Sequence, residues 1–110
     1  MTWVKSELLR PDGTPMVGQC VTAVLIAPTP WLTTGTGHAA GTVRTNSDAA
    51  GLWRLDLLPY TDFEVPNTVY YEIHEGIEMP VWTIRVPPPG LPPIEYWMRD
   101  LLVQTPLPSP

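Results

Sequence analysis

Proline is the feature of this sequence that most restricts its fold. The chain of 110 residues contains 15 prolines, with runs such as VPPPGLPP and TPLPSP in its C-terminal part. Proline donates no backbone hydrogen bond and is excluded from helix interiors and central strands. The proline distribution therefore predicts two parts, a folded body at residues 1–87 and an extended, proline-rich C-terminal arm at residues 88–110.

Side chains alternate between apolar and polar along several short segments of the body. In LWRLDLL, residues 52–58, the apolar side chains of Trp53, Leu55 and Leu57 fall on one face, and TVYYEIHE and VWTIRV repeat the pattern. A period of two is typical of a strand with one buried and one solvated face. The side chains predicted to form the core are Trp53, Leu55, Tyr71, Ile73, Trp82 and Ile84.

An earlier segment, MVGQCVTAVLIAP, is rich in β-branched residues and is also predicted to be a strand. Apolar side chains stand at its alternate positions, Val17, Val21, Ala23 and Leu25. Cys20 lies in this apolar segment, which predicts a buried and unreactive thiol.

Turn residues separate the predicted strands. Asp12 and Gly13 follow the first segment, TWVKSELL, while Asp48 and Gly51 precede Trp53. Glycine adopts backbone conformations that branched residues avoid, and an aspartate can bond the amides of its own turn. Regularly spaced strands joined by such turns predict an all-β domain, either an antiparallel β-sandwich or a partly closed barrel.

Charge and composition argue against several classes of function. The formal net charge is −5, and the six basic residues are dispersed, so no patch suited to nucleic acid is expected. No run of 18 apolar residues is present and the start does not resemble a secretory signal, which predicts a protein made in a cytosol without a membrane span. One cysteine and two histidines favour neither a disulfide nor a metal site.

The titratable residues show no recognisable catalytic pattern. The acidic residues are expected to solvate outer strand faces, and His74 and Glu72 to share one such face. No phosphate-binding or dinucleotide-binding motif is present. The sequence therefore predicts a protein that is not an enzyme and binds no cofactor. The acidic residues considered are Asp56, Asp62, Glu64, Glu72, Glu75 and Glu78.

The order of these signals resembles that of prealbumin-like β-sandwiches, the transthyretin or carboxypeptidase-regulatory-like domains. PDGTPMVGQCVTAVL is similar to their DG-P-x-x-G-x-x-V opening, and VRTNSDAAGLW to their T-x-x-D-x-x-G-x-[WFY] motif. The resemblance extends from Leu8 to about Pro87 and implies a single prealbumin-like or immunoglobulin-like sandwich. The hydrolases of this fold need catalytic His and Arg residues and a characteristic C-terminal tetrapeptide, which the ending TPLPSP does not match.

A narrower resemblance suggests a function. TNSDAAGLWRLDLLP, with YYEIHE and IRVP, is similar to small modules in minor tail, fibre and decoration proteins of tailed phages. It implies an accessory structural protein that is made in the host cytoplasm and decorates and stabilises the capsid or tail surface of the virion. Its expected partners are major capsid or tail proteins, with many copies or a homo-oligomer on a symmetric lattice.

The arm is expected to take part in this assembly. Its segment IEYWMRDLLV is too apolar for a disordered tail, so it must be buried, either on its own body or on a neighbouring chain. The inward pattern is complete by Val86, which predicts that the body folds without the arm. The candidate interface residues are Ile94, Tyr96, Trp97, Met98, Leu101 and Leu102.

A second function class remains open from the sequence. Exposed aromatic side chains stack on sugar rings, and Trp31, Tyr60 and Tyr70 lie in a loop, a turn and an outward strand position. The alternative prediction is a β-sandwich that binds carbohydrate or another component of a host surface.

Overall fold

The computed structural model contains two β-sheets, and it describes residues 2–33, 35–39, 41–76, 79–90 and 94–103. One sheet has three strands in the order β4-β1-β7, and the other has four in the order β3-β2-β5-β6. This arrangement confirms the predicted all-β sandwich. Within the described ranges the strands are β1 (Thr2–Glu7), β2 (Cys20–Ile26), β3 (Thr42–Asn46), β4 (Leu52–Leu57), β5 (Tyr70–His74), β6 (Val81–Ile84) and β7 (Tyr96–Trp97), and short 3-10 helices span Tyr60–Asp62, Pro66–Thr68 and Met98–Asp100.

The sheets are built mainly from antiparallel neighbours. β1 pairs antiparallel with β4, and β2 pairs antiparallel with both β3 and β5. The exception is β7, which lies parallel to β1 with Tyr96 opposite Val4 and Trp97 opposite Lys5. Parallel neighbouring strands must be joined by a long crossover connection. Here the chain between β1 and β7 contributes strands to both sheets.

The core lies between the sheets and is formed by the inward positions of each strand. Trp53, Leu55 and Leu57 of β4 are buried, as are Tyr71 and Ile73 of β5 and Ile84 of β6. Trp82 points the same way but is half-buried at the margin of the cluster. Burial of apolar surface at about 25 cal/mol per Å² is the main stabilising term for such a core.

Strand β2 begins later in the chain than the sequence predicted. The strand begins at Cys20, and Val21 and Ala23 are buried while Cys20 is exposed. Because strand side chains alternate, Cys20 must lie on the outer face, so the prediction of a buried thiol was wrong. Val17, which the sequence placed in the same strand segment, precedes the strand in a turn and is exposed.

The turn before β4 fixes how the chain passes from one sheet to the other. The Oδ1 atom of Asp48 accepts hydrogen bonds from the backbone N–H groups of Ala50 and Leu52, at 2.9 and 3.0 Å. Gly51 has a φ of +78°, which favours glycine, and its carbonyl accepts from Leu8 N–H at 2.8 Å. Asp12 closes the earlier turn in a similar way, because its Oδ1 accepts from Thr14 N–H at 3.0 Å.

Residues 94–103 of the predicted arm lie on the chain's own body and touch both sheets. β7 extends the three-stranded sheet, and Met98 is buried in the core cluster. Leu102 forms a bridge with Ile84 of the other sheet, and Val103 N–H donates to Thr83 O at 2.9 Å. The inward pattern therefore continues past Val86, and the division at residue 87 separates the body from a segment that docks on it.

Candidate interaction surface

The acidic side chains of the described region do not converge on a reactive centre. His74 Nε2 lies 4.0 Å from Glu72 Oε1, and both side chains are exposed. Within the described ranges no group of three His, Cys, Asp or Glu side chains is arranged to hold a metal ion, and no helix is long and apolar enough to cross a membrane. Glu78, another of the acidic residues considered from the sequence, lies outside the described residues.

Glu75 departs from the expectation of a solvated acidic face. Its side chain is 4% exposed, its Oε2 accepts from Trp53 Nε1 at 2.8 Å, and its Oε1 accepts from Trp82 Nε1 at 2.8 Å. Its backbone carbonyl accepts from Gln19 Nε2 at 2.8 Å. A buried carboxylate is tolerated when its oxygens are hydrogen-bonded, so this residue joins β4 of one sheet to β6 of the other.

The sequence contained a signal for this position. The alternation that places Val69, Tyr71 and Ile73 inward also places Glu75 inward, two residues beyond Ile73. Both hydrogen bonds of its carboxylate join it to core aromatics. Its chain neighbours His74 and Gly76 line an open depression of about 400 Å³ together with Gln19, Cys20 and Thr22. The carboxylate of Glu75 thus links the two sheets.

The outer face of the three-stranded sheet carries two exposed tryptophans. Trp3 of β1 is 42% exposed and Trp97 of β7 is 38% exposed. Lys5 lies beside Arg54 on β4 and beside Trp97 on β7, because these residues are in register across the three strands. We call the surface formed by Trp3, Lys5, Arg54, Glu95 and Trp97 the tryptophan face.

Charged side chains hold both rings of the tryptophan face in place. Lys5 Nζ lies 4.5 Å from the ring centroid of Trp97, and Arg54 Cζ lies 4.9 Å from that of Trp3. Glu95 pairs with both cations, at 3.1 Å from its Oε2 to Lys5 Nζ and also through an Arg54 Nη2 contact. The hydrogen bond from Lys5 and the charge of Arg54 lower the pKa of Glu95 below its usual value.

The contacts of the tryptophan face are weak one by one but linked to one another. Cation–π contacts at exposed sites contribute about 0.5–1 kcal/mol each, and several linked charges restrain one another more than an isolated pair does. These contacts favour the orientation in which the two indole rings lie exposed at the surface. Such a surface suits the binding of a partner by stacking and apolar contact.

An open depression adjoins the tryptophan face at the far end of β1. It has a volume of about 450 Å³ and is lined by Ser6, Glu7, Trp97, Arg99 and Asp100. Its rim offers both acidic and basic groups next to one indole ring. The depression thus extends the face with polar groups that can set the orientation of a partner.

The loop after β2 presents a separate aromatic side chain. Trp31 is 48% exposed, and its ring packs edge-on against His38 with 5.0 Å between centroids. It lines a depression of about 380 Å³ together with Leu32, Gly35, Gly37 and Glu64. The other two aromatic rings of this alternative site are less accessible to a ligand. Arg85 Cζ lies 4.1 Å from the ring centroid of Tyr60, and Tyr70 is half-buried.

Comparisons with known proteins do not indicate a function for either surface. No protein-family model and no curated protein sequence matches the chain. The resemblance to prealbumin-like sandwiches and phage modules therefore rests on the motifs quoted above. The physical properties of the surfaces themselves carry the functional argument.

The predicted interface residues of the arm divide between two roles. Trp97 faces outward with Lys5, and Ile94 and Leu102 are also exposed. Met98 is buried and Leu101 packs on the core cluster, so these two side chains hold the segment to the body. Sequence reasoning did not anticipate the tryptophan face, because it combines three strands that lie far apart in the chain and meet only in the sheet.

Proposed function

We propose that this chain is a non-enzymatic structural protein that binds another protein through the tryptophan face. The observation that carries the proposal is the pair of exposed indole rings, Trp3 and Trp97, held by Lys5 and Arg54. Tryptophan and arginine are the residues most enriched among interface hot spots. Rings restrained by such contacts lose less side-chain entropy on binding than unrestrained rings, which favours affinity.

The proposed setting is the virion of a tailed phage, with the chain decorating and stabilising the capsid or tail surface. The support comes from the sequence motifs around Asp48, Gly51 and Trp53, and the all-β sandwich is compatible with them. The proposed partners are major capsid or tail proteins. A repeating lattice would offer each copy the same site, so that a modest interface of about 800 Å² per partner suffices for stable decoration.

Binding to particles that lack the native protein tests this function. Trp3→Ala and Trp97→Ala each remove an outward ring, so the double variant is expected to lose binding by at least about thirtyfold in a co-sedimentation assay, in line with hot-spot losses of about 2 kcal/mol or more. Trp31→Ala is the matched control, because it removes an exposed ring from a different surface. Unchanged binding by the folded double variant would refute the role of the tryptophan face.

A second candidate function is carbohydrate binding at the loop that carries Trp31. The exposed ring, the depression beside it and the carboxylate of Glu64 supply a stacking surface with a hydrogen-bond acceptor. Selective binding on a glycan array that disappears in Trp31→Ala and persists in Trp3→Ala would support this function. Absence of any selective glycan signal would count against it.

A further inference from the structure

We propose that the open depression beside Trp97 takes an arginine side chain of the protein that the tryptophan face binds. The depression has a volume of about 450 Å³ and is lined by Ser6, Glu7, Trp97, Arg99 and Asp100. This inference rests on the proposed function, because it concerns the partner of the same surface. It adds the chemical character of that partner, which is a protein segment that presents an exposed arginine.

The depression continues the tryptophan face along β1. Val4 of this strand is fully buried. Because strand side chains alternate, the outer face of the strand carries Trp3, Lys5 and Glu7 in a row. Trp97 belongs both to the tryptophan face and to the wall of the depression. A partner that covers both indole rings therefore also reaches Glu7.

The carboxylates of the depression give it an acidic character. Glu7 and Asp100 are both exposed, and neither forms an ion pair with any residue that the structure describes. Arg99 adds one positive charge to the same wall, so the wall carries two acidic groups and one basic group. The two carboxylates are therefore available to a cation of the partner.

The ring of Trp97 is the second element of the site. Lys5 Nζ lies 4.5 Å from its centroid, and one ammonium group covers only one face of an indole. The residue stays 38% exposed and lines the depression. The ring thus has surface left for a second cation, which the negative face of an aromatic ring attracts.

Arginine fits this combination of groups better than lysine does. Its planar guanidinium stacks on aromatic rings and bonds a carboxylate through two parallel N–H groups. It is also more weakly hydrated than an ammonium group, so less free energy is lost when water leaves the interface. A guanidinium can stack on Trp97 and pair with Glu7 and Asp100, whereas an acidic side chain of the partner would be repelled by both carboxylates.

Titration with blocked amino acids tests the inference on the isolated protein. N-acetyl-arginine amide, its uncharged analogue N-acetyl-citrulline amide and N-acetyl-glutamate amide are each added to ¹⁵N-labelled protein, and the indole N–H signals are followed by NMR. The Trp97 signal is the one that disappears in Trp97→Phe. We expect only the arginine compound to shift this signal in a saturable way. An equal shift with citrulline, a larger shift with glutamate or no shift with any compound would overturn the inference.

Variants of the two carboxylates identify the contacts. Glu7→Gln and Asp100→Asn each remove one negative charge and should weaken binding of the arginine compound about two- to fivefold, in the range of exposed ion pairs. Glu72→Gln is the matched control, because it removes an exposed carboxylate from the other sheet and should leave the affinity unchanged. Wild-type affinity in both depression variants would contradict the proposed site.

Co-sedimentation with particles separates this inference from the proposed function. We expect Glu7→Gln to weaken particle binding as Trp3→Ala does. Loss of particle binding in Trp3→Ala but not in Glu7→Gln or Asp100→Asn would overturn the inference and leave the proposed function standing. Saturable arginine binding by a protein that binds no particles would instead overturn the proposed function and support the depression as an arginine site.

Discussion

Trp53 and Trp82 donate their indole N–H groups to opposite oxygens of one buried carboxylate, that of Glu75. Trp53 belongs to the three-stranded sheet and Trp82 to the four-stranded sheet. The two sheets are thus joined by a polar bridge as well as by apolar packing. A bridge of this kind fixes how the sheets face each other, because each oxygen has one donor in a defined direction.

Glu75→Gln should destabilise the fold. The amide keeps one acceptor oxygen but turns an NH₂ group toward the second indole N–H, and a buried donor without a partner costs about 1–3 kcal/mol. Urea unfolding should show this loss in the free energy of unfolding. Glu72→Gln is the control, because the exposed carboxylate should change stability by less than about 0.5 kcal/mol. Equal stability of the two variants would contradict the bridge.

Trp53→Ala should lower stability by about 3–5 kcal/mol, since truncating a buried aromatic leaves a cavity in the core. This is a large share of the roughly 5–15 kcal/mol available to a domain, so partial unfolding or aggregation is expected. Thermal melting followed by circular dichroism measures the effect. Trp31→Ala removes an exposed ring of the same type and should melt close to the wild type.

Gly51→Ala should be far more damaging than Gly13→Ala. Both residues have positive φ, at +78° and +88°, so both substitutions strain the backbone by about 1–2 kcal/mol. A Cβ at residue 51 would also overlap the carbonyl oxygen of Leu8, whereas none of the described atoms lies within 4 Å of a Cβ at residue 13. Comparable melting temperatures for the two variants would show that the turn can relax around the new side chain.

Removing residues 91–110 should abolish cooperative folding rather than release a stable body. Met98 leaves the core cluster and one edge of β1 loses its strand partner. Met98→Ala should reproduce part of the loss, at about 2–5 kcal/mol, while Met98→Leu should stay within about 1.5 kcal/mol. A truncated protein that keeps a sharp melting transition would show that the segment is dispensable.

Tyr71 should make stability fall at alkaline pH. Burial of its phenol raises the pKa to about 12 from 10.0. The native state holds this proton more tightly than the unfolded chain, so the contribution is full below about pH 10 and declines as the pH rises toward 12. Urea unfolding across this range should show a shallower decline for Tyr71→Phe than for wild type. Tyr70→Phe, at a half-buried outward position, should retain the wild-type decline.

Local periodicity was sufficient to predict the central strands. The alternation in LWRLDLL and TVYYEIHE places Trp53, Leu55, Tyr71 and Ile73 in the core, where the structure has them. The same period indicates that Glu75 faces inward, but an acidic residue was assumed to be solvated because an unpaired buried charge is costly. The partners that remove this cost are the side chains of two tryptophans distant in sequence.

The position of β7 had no comparable signal. A strand of two residues shows no period, and its pairing with β1 depends on the fold of everything between them. The prolines predicted a boundary near residue 87, and the last strand before them ends at Ile84. The sequence left open whether the apolar segment returned to the same body. The tryptophan face forms only because this segment packs on the body, so local sequence patterns could not predict it.

The parallel pairing of β1 with β7 also orders events during synthesis. Translation delivers β1 first, but its second neighbour emerges only about 90 residues later, with Tyr96 and Trp97. Until then the nascent domain exposes an unpaired strand edge, and contacts of such long sequence separation form slowly. Closure of the sandwich is accordingly expected to be the last folding step during synthesis.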